Sequence, residues 1–348
     1  MDENRLMEFV HKAVADVGLM GNAALVALGD RLGLFTAMAD AGPLTAAELA
    51  ARTDTHERYV REWLASQAAN GYLTYEGDGR YTLPAEHAVA LTDETSPVCV
   101  IGAYQLALAT VQSTYRLAEA FRTGAGIGWG DHHPELYPGC ERFFAPSYRN
   151  HLVTSWIPAL DGVEDRLRDG ATVADIGCGH GASTLVMAEA YPASRFVGFD
   201  PHPDSVTAAR KRAADAGLAS RVRFEIATAA DFPGTYDLVT FFDCLHDMGD
   251  PTGAGRHSRA ALNPGGTAMI VEPRAADRIE DNLNPVSATY YAFSTQLCTP
   301  NSLAQDGGSA LGAQAGEARL RQVLTEAGFR TVQRVAETPF NMVLQARP

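Results

Sequence analysis

The sequence predicts an α/β chain, with an open, mainly parallel sheet in the C-terminal half behind a mainly helical N-terminal domain. Three observations carry this. From Ala171 onward, short apolar runs alternate with helical stretches, the mark of a parallel sheet. The first of those runs leads into "VADIGCGHGAST" (173–184), three alternating glycines between a strand and a helix. Near the other end, two short capped helices are followed by a hairpin.

Length and composition are consistent with this division. A chain of 348 residues is long for one core and comfortable as two domains. A hydrophobic fraction of 46% with 20% charged residues is that of a soluble globular protein. The apolar run Val98 to Val111 is too short and too polar to span a bilayer. The Met1-Asp2-Glu3-Asn4 start lacks the basic flank and apolar core of a secretory signal, so a cytoplasmic location is expected. Cys99, Cys140, Cys178, Cys244 and Cys298 are odd in number and contain no C-x-x-C pair, so they read as reduced thiols rather than disulfides or a zinc cluster. The net charge of −14 argues against a protein that neutralises nucleic-acid phosphates.

In the N-terminal domain (1–95), Thr45-x-x-Glu48 is a capping box opening one helix. Asp54-x-x-Glu57 is expected to open a second, running through Val60, Trp63, Leu64 and Ala68 until Gly71. The runs around Glu76-Gly77-Asp78-Gly79 predict a hairpin, completing a winged helix. This module often binds DNA, but residues 1–95 hold seven Lys and Arg against fifteen Asp and Glu, a net −8. The second helix mixes Glu57, Arg58, Arg61 and Glu62, so no basic face is available to a major groove. The expectation is a dimerisation and substrate-covering module. Residues 96–160 read as a helical linker and acceptor-site cover, interrupted by the surface loop "TGAGIGWGDHHPELYPG". Its adjacent His132 and His133 point apart on most backbones, and no metal site is expected.

In the third segment (161–348), strands are expected at 172–176, 195–199, 222–226, 237–242 and 267–271, with a closing pair near 329–335 and 340–346. Gly177 and Gly179 let a ligand approach the backbone. The loop also fits the dinucleotide pattern G-x-G-x-x-A, so its neighbours decide between ligands. Asp175 is placed to meet the ammonium of an amino-acid ligand, directly or through water, where a pyrophosphate would be repelled. Asp200, 23 residues after Gly177, is placed to accept both ribose hydroxyls. Asp231 and Phe232, after the third strand, offer a carboxylate to an adenine amino group and an amide to its ring. Together these favour S-adenosylmethionine over NAD or NADP. Lys12 and Lys211, the only lysines, leave no Tyr-x-x-x-Lys proton relay for an oxidoreductase.

On "ADIGCGHG", "GFD" ending at Asp200, "AADFP" and "LNPGG" (262–266), the chain resembles class I S-adenosylmethionine-dependent methyltransferases with an N-terminal winged helix. The likeness covers essentially the whole chain. It is nearest to actinobacterial members of unassigned substrate, through "ALGDRLGLFTAMADAGPLT", "HERYVREWLASQAANGYL" and "LGAQAGEARL", and more distantly to plant-type small-molecule O-methyltransferases. The resemblance implies a Rossmann-like sheet, a small-molecule acceptor and a homodimer, for which "MGNAALVALGDRLGLFTAM" is apolar enough. In the plant-type enzymes a His-Asp-Trp segment supplies the base and an acid after the next strand orients it. Here "FFDCLHDMGDP" gives His246 and Asp247, "MIVEP" gives Glu272, and Met248 stands at the tryptophan position. Phe242 and Asp243 fall to the cofactor side. Phe144, Tyr148, His151, Trp156, Tyr290 and Tyr291 are expected near the acceptor, lining a pocket for a planar or lipophilic molecule. The function expected is O-methylation with His246 as general base, in secondary metabolism. A winged-helix regulator that senses S-adenosylmethionine and a nicotinamide-dependent oxidoreductase are the alternatives.

Overall fold

The computed structural model describes residues 1–348 and divides into two compact units, 1–108 and 109–348. The segment from 109 to 160 therefore belongs with the sheet domain rather than forming a separate linker.

The first unit begins with a long helix, α1 (Glu3–Arg31), whose first amides are capped by the Asp2 carboxylate. There follow α2 (Leu34–Met38), β1 (Leu44–Thr45), α3 (Ala46–Thr53), α4 (Glu57–Ala69), the hairpin β2 (Thr74–Gly77) and β3 (Arg80–Thr82), and α5 (Ala85–Thr92). Both bonds of the Thr45–Glu48 capping box are present. The second cap differs from expectation. Asp54 adopts a left-handed conformation that ends α3, and α4 is opened by His56, whose ring accepts from the Arg58 amide. The three strands pair in the order β1-β3-β2, the wing of a winged helix. Trp63 fixes α1 to α4: its Nε1 donates to the Leu25 carbonyl at 2.8 Å, and Asn22 and Gln67 pair beneath it at 2.8 Å. The outer part of α1 leaves Phe9, Val14, Val17 and Met20 exposed. On α4, Arg58 pairs with Glu62 and Arg61 with Glu57, so each arginine is met by an acid of its own helix.

The helices α6 (Ile101–Val111), α7 (Thr114–Thr123) and α8 (Leu136–Ser147), the last continuing as a π-helical segment Tyr148–Trp156, lead to α9 (Val163–Asp169). The sheet domain then alternates β4 (Thr172–Ile176), α10 (Ala182–Ala190), β5 (Arg195–Asp200), α11 (Pro203–Asp215), β6 (Val222–Ile226), β7 (Tyr236–Phe242), α12 (Pro251–Ala260) and β8 (Leu262–Pro273). It closes with α13 (Pro285–Phe293), a π-helical turn Ser294–Cys298, α14 (Thr299–Leu303), α15 (Glu317–Glu326), β9 (Thr331–Glu337) and β10 (Asn341–Arg347). Strand order is β6-β5-β4-β7-β8-β10-β9, parallel except for β10, which runs antiparallel to both neighbours. Alternate residues feed two cores: Val173, Met269, Val271 and Val343 on one face, and Ala174, Ala268, Ile270 and Leu344 on the other. That double burial explains why the strands read as continuous apolar runs. The order reverses between β4 and β7, and the carboxyl ends of strands at such a switch point are where ligands bind in open α/β sheets.

Candidate active site

The glycine loop leaves β4 at Gly177, whose amide and that of Cys178 donate to the Phe199 carbonyl at 2.8 and 3.1 Å. Gly177 has φ +70°, and a Cβ there would lie 2.8 Å from Cys244 Sγ. Gly179 (φ +53°) is different: nothing lies within 4 Å of a Cβ position, so its left-handed conformation, not packing, calls for glycine, and its face is open. The Gly179 amide donates to Asp200 Oδ2 at 2.9 Å, and the His202 amide donates to Oδ1 at 2.9 Å. Asp200, 7% exposed, is thus held at the end of β5 with acceptor capacity left on both oxygens. Burial raises its pKa, against the pull of the two amides.

Asp175 is a correction to the sequence reading. It is 1% exposed and accepts from Ser183 Oγ (2.7 Å) and Thr184 Oγ1 (2.6 Å) on Oδ2, and from Thr240 Oγ1 (3.0 Å) on Oδ1. The carboxylate ties the start of α10 to β7 and does not open onto the loop. Burial pushes its pKa up to about 6 in spite of the three hydroxyls.

Asp231 is exposed and uses Oδ1 to hold the Thr228 amide (2.8 Å) and hydroxyl (2.6 Å), which lower its pKa and leave Oδ2 uncommitted. Phe232 contributes differently from a ligand-facing ring. Its side chain is core, 5.4 Å from Phe199 between ring centroids, and its carbonyl accepts from His257, while its amide has no partner in the chain. Asp200 and Asp231 thus keep open acceptor atoms, the Phe232 amide an open donor, and Gly179 an open face.

At the end of β7 the geometry turns inward. Phe242 packs on Tyr148 at 5.3 Å. Asp243, at φ 51°, accepts from Tyr148 Oη (3.0 Å) and Asn341 Nδ2 (2.7 Å), so its carboxylate is committed within the domain. Burial and the nearby Glu272 push its pKa up to about 7.

His246 sits in a 3-10 turn, Leu245–Asp247, just past β7 and is 4% exposed. Its Nδ1 lies 2.5 Å from Glu272 Oε2 of β8, and Glu272 Oε1 accepts the amides of Leu245 (2.9 Å) and His246 (3.3 Å). The carboxylate, itself 1% exposed, fixes ring and turn together. Burial disfavours the imidazolium, but Glu272 and Cys298 outweigh it and hold the His246 pKa well above the ordinary histidine value. Asp247 plays another part: its carbonyl accepts from Asn301 and Gln305, and burial pushes its carboxyl up to about 7.

Two residues absent from the sequence reading join the site. Cys298 places Sγ 3.3 Å from His246 Nε2. Glu141 of α8 reaches His180 in the glycine loop at 3.1 Å and pairs with Arg212 of α11. Neither carries a local signal, because their partners lie 52, 39 and 71 residues away. Of the expected acceptor residues, Phe144 stacks on Tyr148 at 6.1 Å and Tyr290 donates to the Phe340 carbonyl at 3.3 Å. Tyr148 is buried by its bond to Asp243, and Tyr291 is half-buried. Trp156 is 0% exposed within the sheet core, with half-buried His151 stacked on it at 5.9 Å, so the tryptophan is core rather than lining. Phe143, unremarked in the sequence, packs on Phe144 and Phe293.

Comparison with known proteins bears on the domains and the fold. A methyltransferase domain model matches residues 167–328, and an Rv2258c-like winged helix-turn-helix model matches residues 21–93. A putative O-methyltransferase from Nostoc punctiforme superposes with a TM-score of 0.73 at 21% identity, covering 97% of this chain and 98% of that one. An O-methyltransferase family protein from Burkholderia thailandensis gives 0.70 at 22%, over 97% and 98%. Among curated relatives, the ubiquinone biosynthesis O-methyltransferase of Xanthomonas euvesicatoria is 34% identical over 114 residues, 32% of this chain and 47% of that protein. The ajmaline N-methyltransferase of Rauvolfia serpentina is 30% identical over 168 residues, 44% and 56%. The chain therefore spans about half the length of these curated relatives. The chain thus carries a methyltransferase domain behind an N-terminal winged helix-turn-helix domain.

Proposed function

We propose that the protein methylates a hydroxyl of a small molecule with S-adenosylmethionine, using His246 as general base. The observation that carries this reading is the buried His246–Glu272 pair at the carboxyl edge of the sheet, beside the glycine loop. S-adenosylmethionine supplies a methyl carbon already activated on a sulfonium, so the chain has to hold the cofactor, position the acceptor and remove its proton. Asp200 is the partner for the ribose hydroxyls, and Asp231 with the Phe232 amide for the adenine edge. At His246, the bond to Glu272 keeps the Nδ1 proton in place and leaves Nε2 to take the acceptor's proton. The acceptor reaches Nε2 on the side now taken by Cys298 Sγ.

Relatives are named as a ubiquinone biosynthesis O-methyltransferase and a 27-O-demethylrifamycin SV methyltransferase, and the rings of Phe143, Phe144 and Phe293 suit a planar or lipophilic acceptor. The self-paired arginines of α4 support a winged helix that does not bind DNA. By length and composition α1 could cross a membrane, but Lys12, Asp16 and the Asn22–Gln67 pair fit a surface helix whose apolar face meets a second copy. We read the protein as a cytoplasmic homodimer of secondary metabolism. Incubation with methyl-labelled S-adenosylmethionine and a panel of hydroxyarenes tests the assignment: label should appear as methyl ether. Label moving only to amines or thiols would reassign the acceptor atom.

A further inference from the structure

The five thiols differ in a way that methyl transfer does not require. Cys178 Sγ points to the Gly179 carbonyl and Cys244 Sγ donates to the Ile176 carbonyl at 3.2 Å, contacts that keep a thiol protonated. Burial raises the pKa of both, and of Cys140. Cys99 is buried. Cys298 alone faces a histidine, at 3.3 Å; it is half-buried, as Cys140 and Cys244 are, and lies on an irregular π-helical turn. That histidine is oriented on its far side by a buried carboxylate. Thiol, imidazole and acid within hydrogen-bond reach is the arrangement that activates a nucleophile, because the base takes the proton and the acid stabilises the resulting imidazolium.

We infer that Cys298, with His246 and Glu272, forms a covalent modification site for small soft electrophiles of the α,β-unsaturated carbonyl class. Nε2 takes the thiol proton and the thiolate attacks the β-carbon of the enone. The carbon–carbon π pair moves to the carbonyl as an enolate, and the imidazolium returns the proton to the α-carbon. One S–H and one C=C are replaced by one S–C and one C–H, and no oxidant is consumed. The adduct lies against Nε2 of His246, where it would exclude an acceptor. The other titratable groups around the thiol are Asp247 beside His246 and Cys140 on α8.

The test uses the full chain, N-ethylmaleimide as the probe, and peptide mass spectrometry to follow each cysteine at pH 6 to 8. An ordinary thiol of pKa about 8.5 gains nearly a hundredfold in thiolate over that range, as N-acetylcysteine will show in parallel. Cys298 should be the first cysteine labelled, with a rate that changes by less than about threefold across the same range. His246→Ala should restore the steep profile, and Cys298→Ser should abolish the early adduct. A wild-type rate at Cys298 that climbs with pH as N-acetylcysteine does would overturn the inference, as would labelling of Cys140 ahead of Cys298. Accessibility alone changes the rate but not the shape of its pH dependence, so the wild-type profile decides even if a variant folds poorly. The readout involves no methyl transfer, so its failure leaves the methyltransferase reading untouched.

Discussion

The two halves of the sheet's carboxyl edge are built by opposite means. On the β4–β6 side, Asp200 and Asp231 are held by amides and a hydroxyl 2 to 21 residues away and keep open acceptor sites. On the β7–β8 side, Asp243, His246 and Glu272 are held by one another and by residues 26 to 98 positions away, with almost nothing left open. In the proposed reading the first arrangement receives the cofactor on atoms placed by local backbone geometry. In the same reading the second holds the proton-transfer group inside a buried network, where the low dielectric strengthens each hydrogen bond and charge pair. Binding and chemistry should therefore separate on mutation.

The largest effect should come from His246→Ala. General-base catalysis contributes about 10² to 10⁴-fold, so turnover should fall by that order with cofactor affinity nearly unchanged. Retention of full turnover would move deprotonation elsewhere, and His151 would be the next residue to substitute.

Asp175 belongs by position to the binding half but by burial to the other, which makes it a test of the division. Its folded pKa of about 6 lies above the ordinary aspartate value, so the folded state binds the proton more tightly and the wild-type protein loses stability as pH rises from about 4 through 6. The expected loss is about 3 kcal/mol. Asp175→Asn keeps an acceptor for the hydroxyls but lacks the charge, so urea unfolding should show the variant gaining on wild type by about that amount between pH 4 and pH 8. A gap that stays constant would mean the carboxylate ionises freely in the folded protein.

Asp200→Ala should weaken S-adenosylhomocysteine binding by about 1.5 to 3 kcal/mol, the cost of losing charged hydrogen bonds to two hydroxyls. Turnover at saturating cofactor should change far less. The smallest effect expected is that of Glu272→Gln. Since Glu272 holds the imidazolium pKa up, the wild-type rate should fall with decreasing pH already above the ordinary histidine range. The Gln variant should shift that acid limb downward, with a lower plateau from the weaker, less firmly oriented base. An acid limb that does not move would remove Glu272 from the proton transfer.

The same contrast explains what was legible in the sequence. β4, β5 and β7 were readable to within a residue because burial on both faces makes them almost continuously apolar, while β6 at the sheet edge alternates buried apolar with charged positions. β8 is the exception: it starts at Leu262 because a register shift between Tyr236 and Leu238 lets Leu262 pair with Tyr236 across the Asn-Pro-Gly-Gly turn. Gly177, Gly179 and Asp200 were legible because strand, loop and helix follow one another directly. His246 and Glu272 were found through a family resemblance. Cys298 could not be found, because nothing in "STQLCTP" records that a turn 52 residues earlier aims an imidazole at it. Trp156 and Asp243 were misassigned for the related reason that an aromatic or acid near a site looks the same in sequence whether it faces ligand or core.

Calorimetric titration of the purified protein with S-adenosylhomocysteine, and separately with NAD and NADP, tests the central claim most directly. The account predicts micromolar binding of S-adenosylhomocysteine, retained in His246→Ala and weakened in Asp200→Ala, with no heat from either dinucleotide. Micromolar binding of a dinucleotide, with none of S-adenosylhomocysteine, would contradict it.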